Sequence, residues 1–151
     1  KVQITYSAVT SLKVGVVQIK IMATTTATIT IASADLISDV LNMQVSSTLT
    51  TAGASTGLTE TSGIGRHTTT ATAAVTIFSA ANFTDDKAHK VYILNTSTTA
   101  SEFIEIGIGS FNGRLYAGDW AFIPWDGEDD ISYTPSVATS MTVEFCVFED
   151  N

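Results

Sequence analysis

The side chains that could do chemistry are few and scattered along this chain. The densest group is the segment DGEDD, which places four carboxylates within five residues at Asp126–Asp130. Carboxylates bind Ca²⁺ when a loop directs several oxygens at one point, but the helix-flanked calcium-loop pattern does not occur around this segment. We therefore interpret Asp126–Asp130 as a solvated acidic turn between strands, and we predict no metal site.

The histidines and the cysteine do not form a catalytic or metal-binding pattern. His67 and His89 are the only histidines, and no spacing motif supplies the further ligands that a metal site needs. Cys146 has no base that a motif would place beside it, and the Gly-x-Ser-x-Gly nucleophile elbow is absent. We interpret the histidines as surface residues and Cys146 as a small packing residue. The sequence thus predicts no catalytic residue, no cofactor and no enzyme activity.

Aromatic side chains are concentrated in the segment LYAGDWAFIPW, which runs from Leu115 to Trp125. Such a group can pack in a core, line a subunit contact, or present rings on which sugars stack. We expect core packing for most of these rings, because both faces of a strand here would be apolar. If the chain instead binds carbohydrate, we expect Trp120, Trp125 and Tyr116 to contact the glycan.

Two threonine-rich phrases, TTTATITI at Thr24–Ile31 and TTTATAAVTI at Thr68–Ile77, have the alternation of strands. Alternate side chains of a strand point to opposite faces, so each phrase would present threonines outward and apolar residues inward. The threonines could form an ordinary solvent face, which is the commonest case, a contact face in an assembly, or an ice-binding row. The threonines that would make a subunit contact are Thr24, Thr26, Thr28, Thr30, Thr68, Thr70 and Thr72.

Period-two patterning predicts an all-β fold. Apolar and polar residues alternate through 2–8, 17–21, 103–108 and 141–147, which is typical of half-buried strands. The run Val91–Leu94 is apolar on both faces, as in a central strand. We predict a single antiparallel β-sandwich domain of jelly-roll type over residues 1–151, with one short helix.

Two segments interrupt the strand pattern. Ser33 could cap that short helix, which would continue to Leu41 with its apolar residues on one face. The segment 51–66 holds four glycines among serines and threonines, which predicts an exposed and mobile loop or arm. Its only large apolar side chains, Leu58 and Ile64, are candidates for contact with a neighbouring subunit.

Charge is low and unevenly distributed. The chain of 151 residues has a formal net charge of -8, yet residues 1–75 carry three acids against four bases and the remainder carries twelve acids against three bases. An acidic half without a basic stripe argues against nucleic-acid binding. No apolar stretch approaches the roughly 20 residues of a membrane-spanning helix, so we expect no membrane partner. The nearly neutral half is easier to desolvate, which makes it the better candidate for a contact surface.

The C-terminal half has a characteristic order of elements. KVYILNTSTTASEFIEIGIG (90–109) holds a strand that ends in Asn-Thr and then an Ile-rich strand. RLYAGDWAFIPWDGEDDISYTPS (114–136) adds a turn, an aromatic strand and a polar strand, and MTVEFCVFED (141–150) closes the series. This layout resembles small β-sandwich virion proteins of tailed bacteriophages. The resemblance implies a non-enzymatic structural subunit, either on the capsid surface or in the tail or fibre apparatus.

These features lead to one main expectation and one alternative. The main expectation is a capsid decoration or cement subunit at the virion surface, which stabilises the particle through contacts between β surfaces. Symmetric particles favour oligomers, so we expect a homo-oligomer, first of all a trimer, with other virion proteins such as the major capsid protein as partners. The alternative is a carbohydrate-binding or adhesive β-sandwich in a tail fibre or another extracellular setting.

Overall fold

The structure is built from antiparallel β-strands. The computed structural model describes residues 25–36, 40–58 and 60–151, so the strands expected at 2–8 and 17–21, and Thr24, lie outside the described residues. Within them no helix is long and apolar enough to cross a bilayer. The described elements are β1 (Thr26–Ser33), β2 (Leu41–Thr48), β3 (Glu60–Thr61), β4 (Gly65–Thr69), β5 (Val75–Phe78), a 3₁₀ turn (Ala80–Asn82), β6 (His89–Asn95), β7 (Phe103–Ile108), β8 (Phe111–Tyr116), β9 (Trp120–Trp125), β10 (Ile131–Pro135) and β11 (Met141–Glu149). The predicted all-β class with antiparallel sheets is confirmed.

Two larger sheets form the sandwich. In one, β3 and β4 both pair with β11, which is followed by β6 and β9; in the other, the order is β5-β10-β7-β8. The pairs are nested along the chain, since β4 pairs with β11, β5 with β10, β6 with β9 and β7 with β8. These eight strands therefore follow the path of one long antiparallel ribbon that is folded over on itself.

The hydrophobic core lies between these two sheets. Val91 and Ile93 on β6 are fully buried, and Ile104 and Ile106 on β7 are at most 2% exposed. All four belong to one buried cluster, because the pleat turns alternate side chains of both sheets towards each other. The alternation predicted for 103–108 and 141–147 is confirmed, and β6 is the central strand that Val91–Leu94 predicted.

The helix expected from Ser33 to Leu41 is wrong for the residues that the structure describes there. β1 runs through Ser33, a bend follows at 34–36, and β2 begins at Leu41, so the segment joins two paired strands. The Ser33 hydroxyl accepts hydrogen bonds from the backbone N–H groups of Asp35 and Leu36 at 3.4 and 3.1 Å. Such bonds can cap a helix or close a turn. The outcome here is a turn, because the flanking residues pair with each other as strands.

The segment 51–66 is only in part the exposed arm that the sequence predicts. Residues 52–56 are exposed, and Ile64 is 70% exposed. Leu58 is only 2% exposed, and its N–H donates to the carbonyl of Leu49 at 3.0 Å. The expectation that Leu58 contacts a neighbouring subunit is therefore wrong, because its own chain already buries it. β3 and the start of β4 also fall within this segment and pair with β11.

Candidate functional site

The β1–β2 hairpin forms a two-stranded sheet of its own with two unlike faces. Side chains directly opposite each other in an antiparallel pair lie on the same face, and the register pairs Ile29 with Val45. On the other face, the Oγ1 of Thr28 lies 2.9 Å from the Oγ of Ser46. We name these surfaces the apolar hairpin face (Ile29, Ile31, Met43 and Val45) and the hydroxyl hairpin face (Thr26, Thr28, Thr30 and Ser46).

The apolar hairpin face is exposed. Ile29 and Ile31 are 38% and 45% exposed, and Met43 and Val45 are 48% and 60% exposed. The alternation of threonine and apolar residues agrees with the sequence, but the expectation that the apolar row faces inward to a core is wrong. The reason is topological, since β1 and β2 bond only to each other, and of these four side chains only Ile29 lines the groove that separates the hairpin from the β11-β6-β9 sheet.

A groove of about 290 Å³ lies between the hairpin and the outer face of the β11-β6-β9 sheet. Phe122, Tyr92 and Cys146 make a row across this sheet, because Tyr92 is opposite both of the others in register. β1 supplies the opposite wall. We name this the aromatic groove; its lining residues, none of them charged, are Thr26, Ala27, Thr28, Ile29, Ile64, Tyr92, Trp120, Phe122, Cys146 and Phe148.

The three aromatic residues expected to contact a glycan do not form one platform. Trp120 is 51% exposed and lines the aromatic groove. Tyr116 is 46% exposed, but it lies on β8 in the other sheet, where its ring packs against Phe103 with centroids 5.4 Å apart. Trp125 is 4% exposed, and its Nε1–H donates to the carbonyl of Asp129 at 3.0 Å. The expectation that Trp125 contacts a glycan is wrong, because its side chain points into the core.

The second threonine phrase is divided between elements. Thr68 lies in β4, where its Oγ1 is 2.7 Å from the Oγ1 of Thr142 on β11. Thr70 and Thr72 are exposed and follow the end of β4, where the chain crosses to β5 in the other sheet. The expectation of a continuous threonine row along one strand is therefore wrong for residues 68–77. The crossing has no proline or glycine to mark it, so the sequence contained no signal for the break.

A buried polar cluster at one end of the sandwich holds a histidine that the sequence placed at the surface. His89 is fully buried, which corrects that expectation. Its Nδ1 accepts the N–H of Asp150 at 3.0 Å, so Nε2 carries the proton and donates to the carbonyl of Thr84 at 3.0 Å. The Asp150 carboxylate accepts the N–H groups of Ala52 and Ala88 at 2.7 and 3.0 Å. The cluster thereby connects Asp150, which directly follows β11, to Ala52 in the loop that follows β2.

The Asp150 side chain is held as a carboxylate. Burial alone would raise its pKa, but the two amide hydrogen bonds, together with nearby Lys87 and His89, outweigh burial and lower the pKa below the usual value. Residue parity could have found this cluster. His89 alternates with Val91 and Ile93, so a strand that buries those two side chains also buries the histidine.

The acidic segment Asp126–Asp130 connects β9 to β10, and its carboxylates are exposed as the sequence predicts. Asp126, followed by Asp86 and other nearby acids, raises the pKa of the exposed Glu128 carboxyl. Asp130 accepts the N–H of Ala80 at 2.8 Å. Across the described residues, no group of three or more His, Cys, Asp or Glu side chains could hold a metal ion.

The other candidate reactive side chains make structural contacts. Cys146 is 7% exposed, and its Sγ lies 3.2 Å from the Oγ1 of Thr61. The Nδ1 of His67 lies 2.7 Å from the hydroxyl of Tyr133, which is fully buried. Thr61 is not a base for the Cys146 thiol, and the tyrosine that meets His67 is fully buried. In comparisons with known proteins, no family model, no curated protein and no solved structure matches this chain.

Proposed function

We propose that this chain is a non-enzymatic structural subunit of a virus particle, of the kind its C-terminal half resembles. Its role would be to decorate or cement the particle by burying uncharged β surface between subunits, with other virion proteins such as the major capsid protein as further partners. The observation that carries this proposal is the exposed apolar hairpin face. A contiguous apolar patch on an otherwise polar surface is typical of a protein interaction site.

The energetics of the hairpin support an assembly role. An isolated two-stranded hairpin is marginally stable in water, so a hairpin that keeps an apolar face needs a cover. Its four apolar side chains are 38–60% exposed. Full burial of such a side chain contributes about 1.5–3 kcal/mol, so covering the remaining exposed part of all four would contribute on the order of 3–6 kcal/mol.

The distribution of charge also supports contact at the hairpin. Between residues 25 and 58 the only charged side chains are Asp35 and Asp39, which both fall in the connection between β1 and β2, whereas the whole chain has a net charge of -8. Copies with that charge repel each other, and the two uncharged strands are a part where they can approach at low electrostatic cost. The acidic Asp126–Asp130 turn is unsuited to this role, because its carboxylates would have to lose water.

The nested pairing of strands is consistent with the jelly-roll type. Folding one long antiparallel ribbon over on itself produces two sheets in which early and late strands are neighbours, as β4 and β11 are here. Jelly rolls are frequent in viral capsid proteins, although fold alone does not determine function. The strand order therefore supports the proposal, and the exposed apolar hairpin face is its basis.

The first prediction tests whether the apolar hairpin face drives assembly. Val45→Lys should weaken self-association about tenfold or more, because it places an ammonium group in a surface that must be desolvated. Gln44→Lys is the matched control, since it adds the same charge to the next residue on the opposite face. Sedimentation velocity over a range of concentrations measures association, and circular dichroism checks that each variant is folded.

Two results would contradict the proposed role. One is a parent protein that stays monomeric at every concentration, combined with particles from its source that an antibody against the protein does not label in immunogold electron microscopy. The other is equal assembly of the parent and the Val45→Lys variant. If the antibody labels particles but the parent protein stays monomeric, only the proposed self-association is wrong, and the role in the particle stands.

Carbohydrate binding remains the second candidate because Trp120 is 51% exposed at the aromatic groove. A half-exposed indole beside threonine hydroxyls offers both a stacking surface and hydrogen-bond partners. Titration with neutral polysaccharides should then change the tryptophan fluorescence, and a Trp120→Ala variant should not respond. A glycan screen without a binder would rule this alternative out.

A further inference from the structure

A polar pocket lies where the connection between β6 and β7 meets the connection between β10 and β11. Its volume of about 320 Å³ is at the lower end of ordinary ligand sites. Seven of its eight lining residues are serine or threonine, and the eighth is Glu102. We name it the hydroxyl pocket (residues 96–99, 102, 139, 140 and 142). It shares no residue with the aromatic groove or the apolar hairpin face.

Hydrogen bonds within the chain hold the pocket in shape. Asn95, at the end of β6, is fully buried, and its Oδ1 accepts the N–H of Ser97 at 3.0 Å. The N–H of Thr96 donates to the carbonyl of Thr142 at 3.1 Å, which ties this connection to the start of β11. A site that is already ordered costs a ligand less entropy to bind.

The carboxylate of Glu102 bridges the two connections. One oxygen accepts the hydroxyl hydrogen of Ser97, and the other accepts that of Thr139 at 3.2 Å. The residue is half-buried. No basic side chain among the described residues forms an ion pair with it, since the two ion pairs found there involve Glu105 and Glu144. The pocket therefore holds a fixed negative charge that its own surroundings do not neutralise.

The hydroxyl groups around this charge are arranged as acceptors. The hydroxyl of Thr96 donates to the carbonyl of Thr142 at 2.7 Å, and those of Ser97 and Thr139 donate to Glu102. A hydroxyl has one hydrogen, so these three oxygens can only accept further bonds. A lone carboxylate is a poor metal site. A primary ammonium group supplies both the missing positive charge and three N–H donors.

The rest of the lining indicates what carries the ammonium group. Thr98 and Ser140 are exposed at the pocket, and their hydroxyls can pair with the hydroxyls of a sugar ring. A lysine side chain would instead bring a hydrocarbon stem that packs on apolar surface. The pocket offers no apolar side chain, only the methyl groups of its threonines.

We propose that the hydroxyl pocket binds a cationic amino sugar. The ammonium group lies against the carboxylate of Glu102 and the hydroxyl oxygens of Ser97 and Thr139, and the ring hydroxyls lie against Thr98 and Ser140. This inference goes beyond the structural role and does not depend on it, because the pocket lies outside the hairpin. It would allow the subunit to attach to a polysaccharide that has free amino groups.

Titration of ¹⁵N-labelled protein with a β-1,4-linked glucosamine trisaccharide tests the proposal. At about pH 5.5, where the sugar amines are protonated, amide resonances of residues 96–102 and 139–142 should shift. The N-acetylated trisaccharide lacks the charge, and trilysine has the charge but no sugar hydroxyls. Each should bind at least about tenfold more weakly than the glucosamine trisaccharide.

Substitutions give an independent measurement. Glu102→Gln should weaken binding about tenfold or more, because it removes the charge and nearly keeps the shape. Glu128→Gln is the matched control, since it removes the same charge from an exposed turn outside the pocket, and it should bind within about twofold of the parent. Thr98→Val removes an exposed hydroxyl and should weaken binding several-fold without changing the thermal unfolding of the protein.

Four results would each overturn this site. Equal weakening by Glu102→Gln and Glu128→Gln would show that the amines are attracted only to the acidic chain as a whole. Equal binding of the N-acetylated trisaccharide would show that the ammonium group is not recognised, and equal binding of trilysine would show that the sugar is not. A shift of the Trp120 indole N–H in place of the pocket amides would put the sugar in the aromatic groove. A Val45→Lys variant that fails to assemble but binds the trisaccharide would separate this site from the structural role.

Discussion

Asp150 and His89 show how two buried polar residues satisfy each other's neighbourhood through hydrogen bonds. Both ring nitrogens of His89 and the carboxylate of Asp150 have partners, and every buried side-chain nitrogen and oxygen in the described residues has a hydrogen-bond partner. Such a cluster is stabilising only while each partner stays in its protonation state. Lowering the pH protonates the Asp150 carboxylate and weakens the hydrogen bonds that it accepts from Ala52 and Ala88.

The second prediction concerns the Asp150 carboxylate. Asp150→Asn should destabilise the fold by about 1–3 kcal/mol at pH 7, because it replaces charge-assisted hydrogen bonds to Ala52 and Ala88 with weaker ones. The pKa of Asp150 is lower in the folded chain than in the unfolded chain, so its contribution is present above about pH 4 and is lost as the pH falls through the folded value. Urea unfolding of both proteins from pH 7 to pH 2.5 should show the difference shrinking with acidification. A difference that is constant with pH would contradict a role for the charge.

Single residues were the part least predictable from sequence. Trp120 and Trp125 stand five positions apart, and their opposite parity correctly predicts that they lie on opposite faces. Parity alone does not say which face is the core, which is why the expected glycan contact of Trp125 is wrong. The answer depends on the partner strand, since Trp125 is opposite the fully buried His89 in β6.

At the scale of elements, the turns decide where strands end. Gly127 has a φ of +91°, and a Cβ added there would lie 2.7 Å from the carbonyl oxygen of Thr84. Gly118 has a φ of +80°, and a Cβ added there would meet nothing within 4 Å. Both positions have a positive φ, which favours glycine. Only at Gly127 would a side chain also clash with a neighbouring atom.

The third prediction compares these two turns. Gly118→Ala should cost about 1–2 kcal/mol, the usual penalty for a left-handed conformation in a residue with a Cβ. Gly127→Ala should cost more, about 2–4 kcal/mol, because the Thr84 carbonyl that His89 binds must also move. Thermal unfolding of the two variants checks the order. Equal losses would show that the backbone near Thr84 can move without cost.

Sequence patterns predicted the strands that have one buried face. Where neither face is buried, the pattern did not distinguish a hairpin from a helix. The alternation in Phe103–Ile108 is strong because a core lies on one side. In the segment after Ser33, the spacing of Leu36, Val40 and Leu41 fits a helix, yet Leu36 and Val40 are 72% and 75% exposed. These two side chains supply no packing that would favour a helix, so their helical spacing did not determine the conformation.

At the scale of the whole molecule, the sequence predicted the all-β class but not the separation of the hairpin. Alternation of threonine with isoleucine indicates a two-faced strand, and it does not indicate that the strand leaves the sandwich. That depends on pairing between distant strands. β6, β9 and β11 complete their sheet with β3 and β4, which leaves β1 and β2 paired only with each other. The apolar hairpin face is therefore a consequence of topology that no local pattern could reveal.

The fourth prediction follows from net charge. The chain carries -8, whereas the apolar hairpin face carries no charge, so association through that face brings together like charges without forming ion pairs at the contact. Salt screens this repulsion, since the Debye length falls from about 14 Å at 50 mM to about 4 Å at 500 mM. The dissociation constant of the parent should fall several-fold over this range, as measured by sedimentation velocity. An interface made of ion pairs would weaken with salt.

A charge-reduced variant separates screening from the general effect of salt on apolar burial. Glu128→Gln with Asp129→Asn removes two negative charges from an exposed turn and leaves the hairpin and the groove unchanged. This variant should associate more tightly than the parent at 50 mM salt, and its dissociation constant should change less between 50 and 500 mM. An equal response of both proteins would attribute the salt effect to burial of apolar surface, and weaker association of the variant would place the acidic turn itself in the contact.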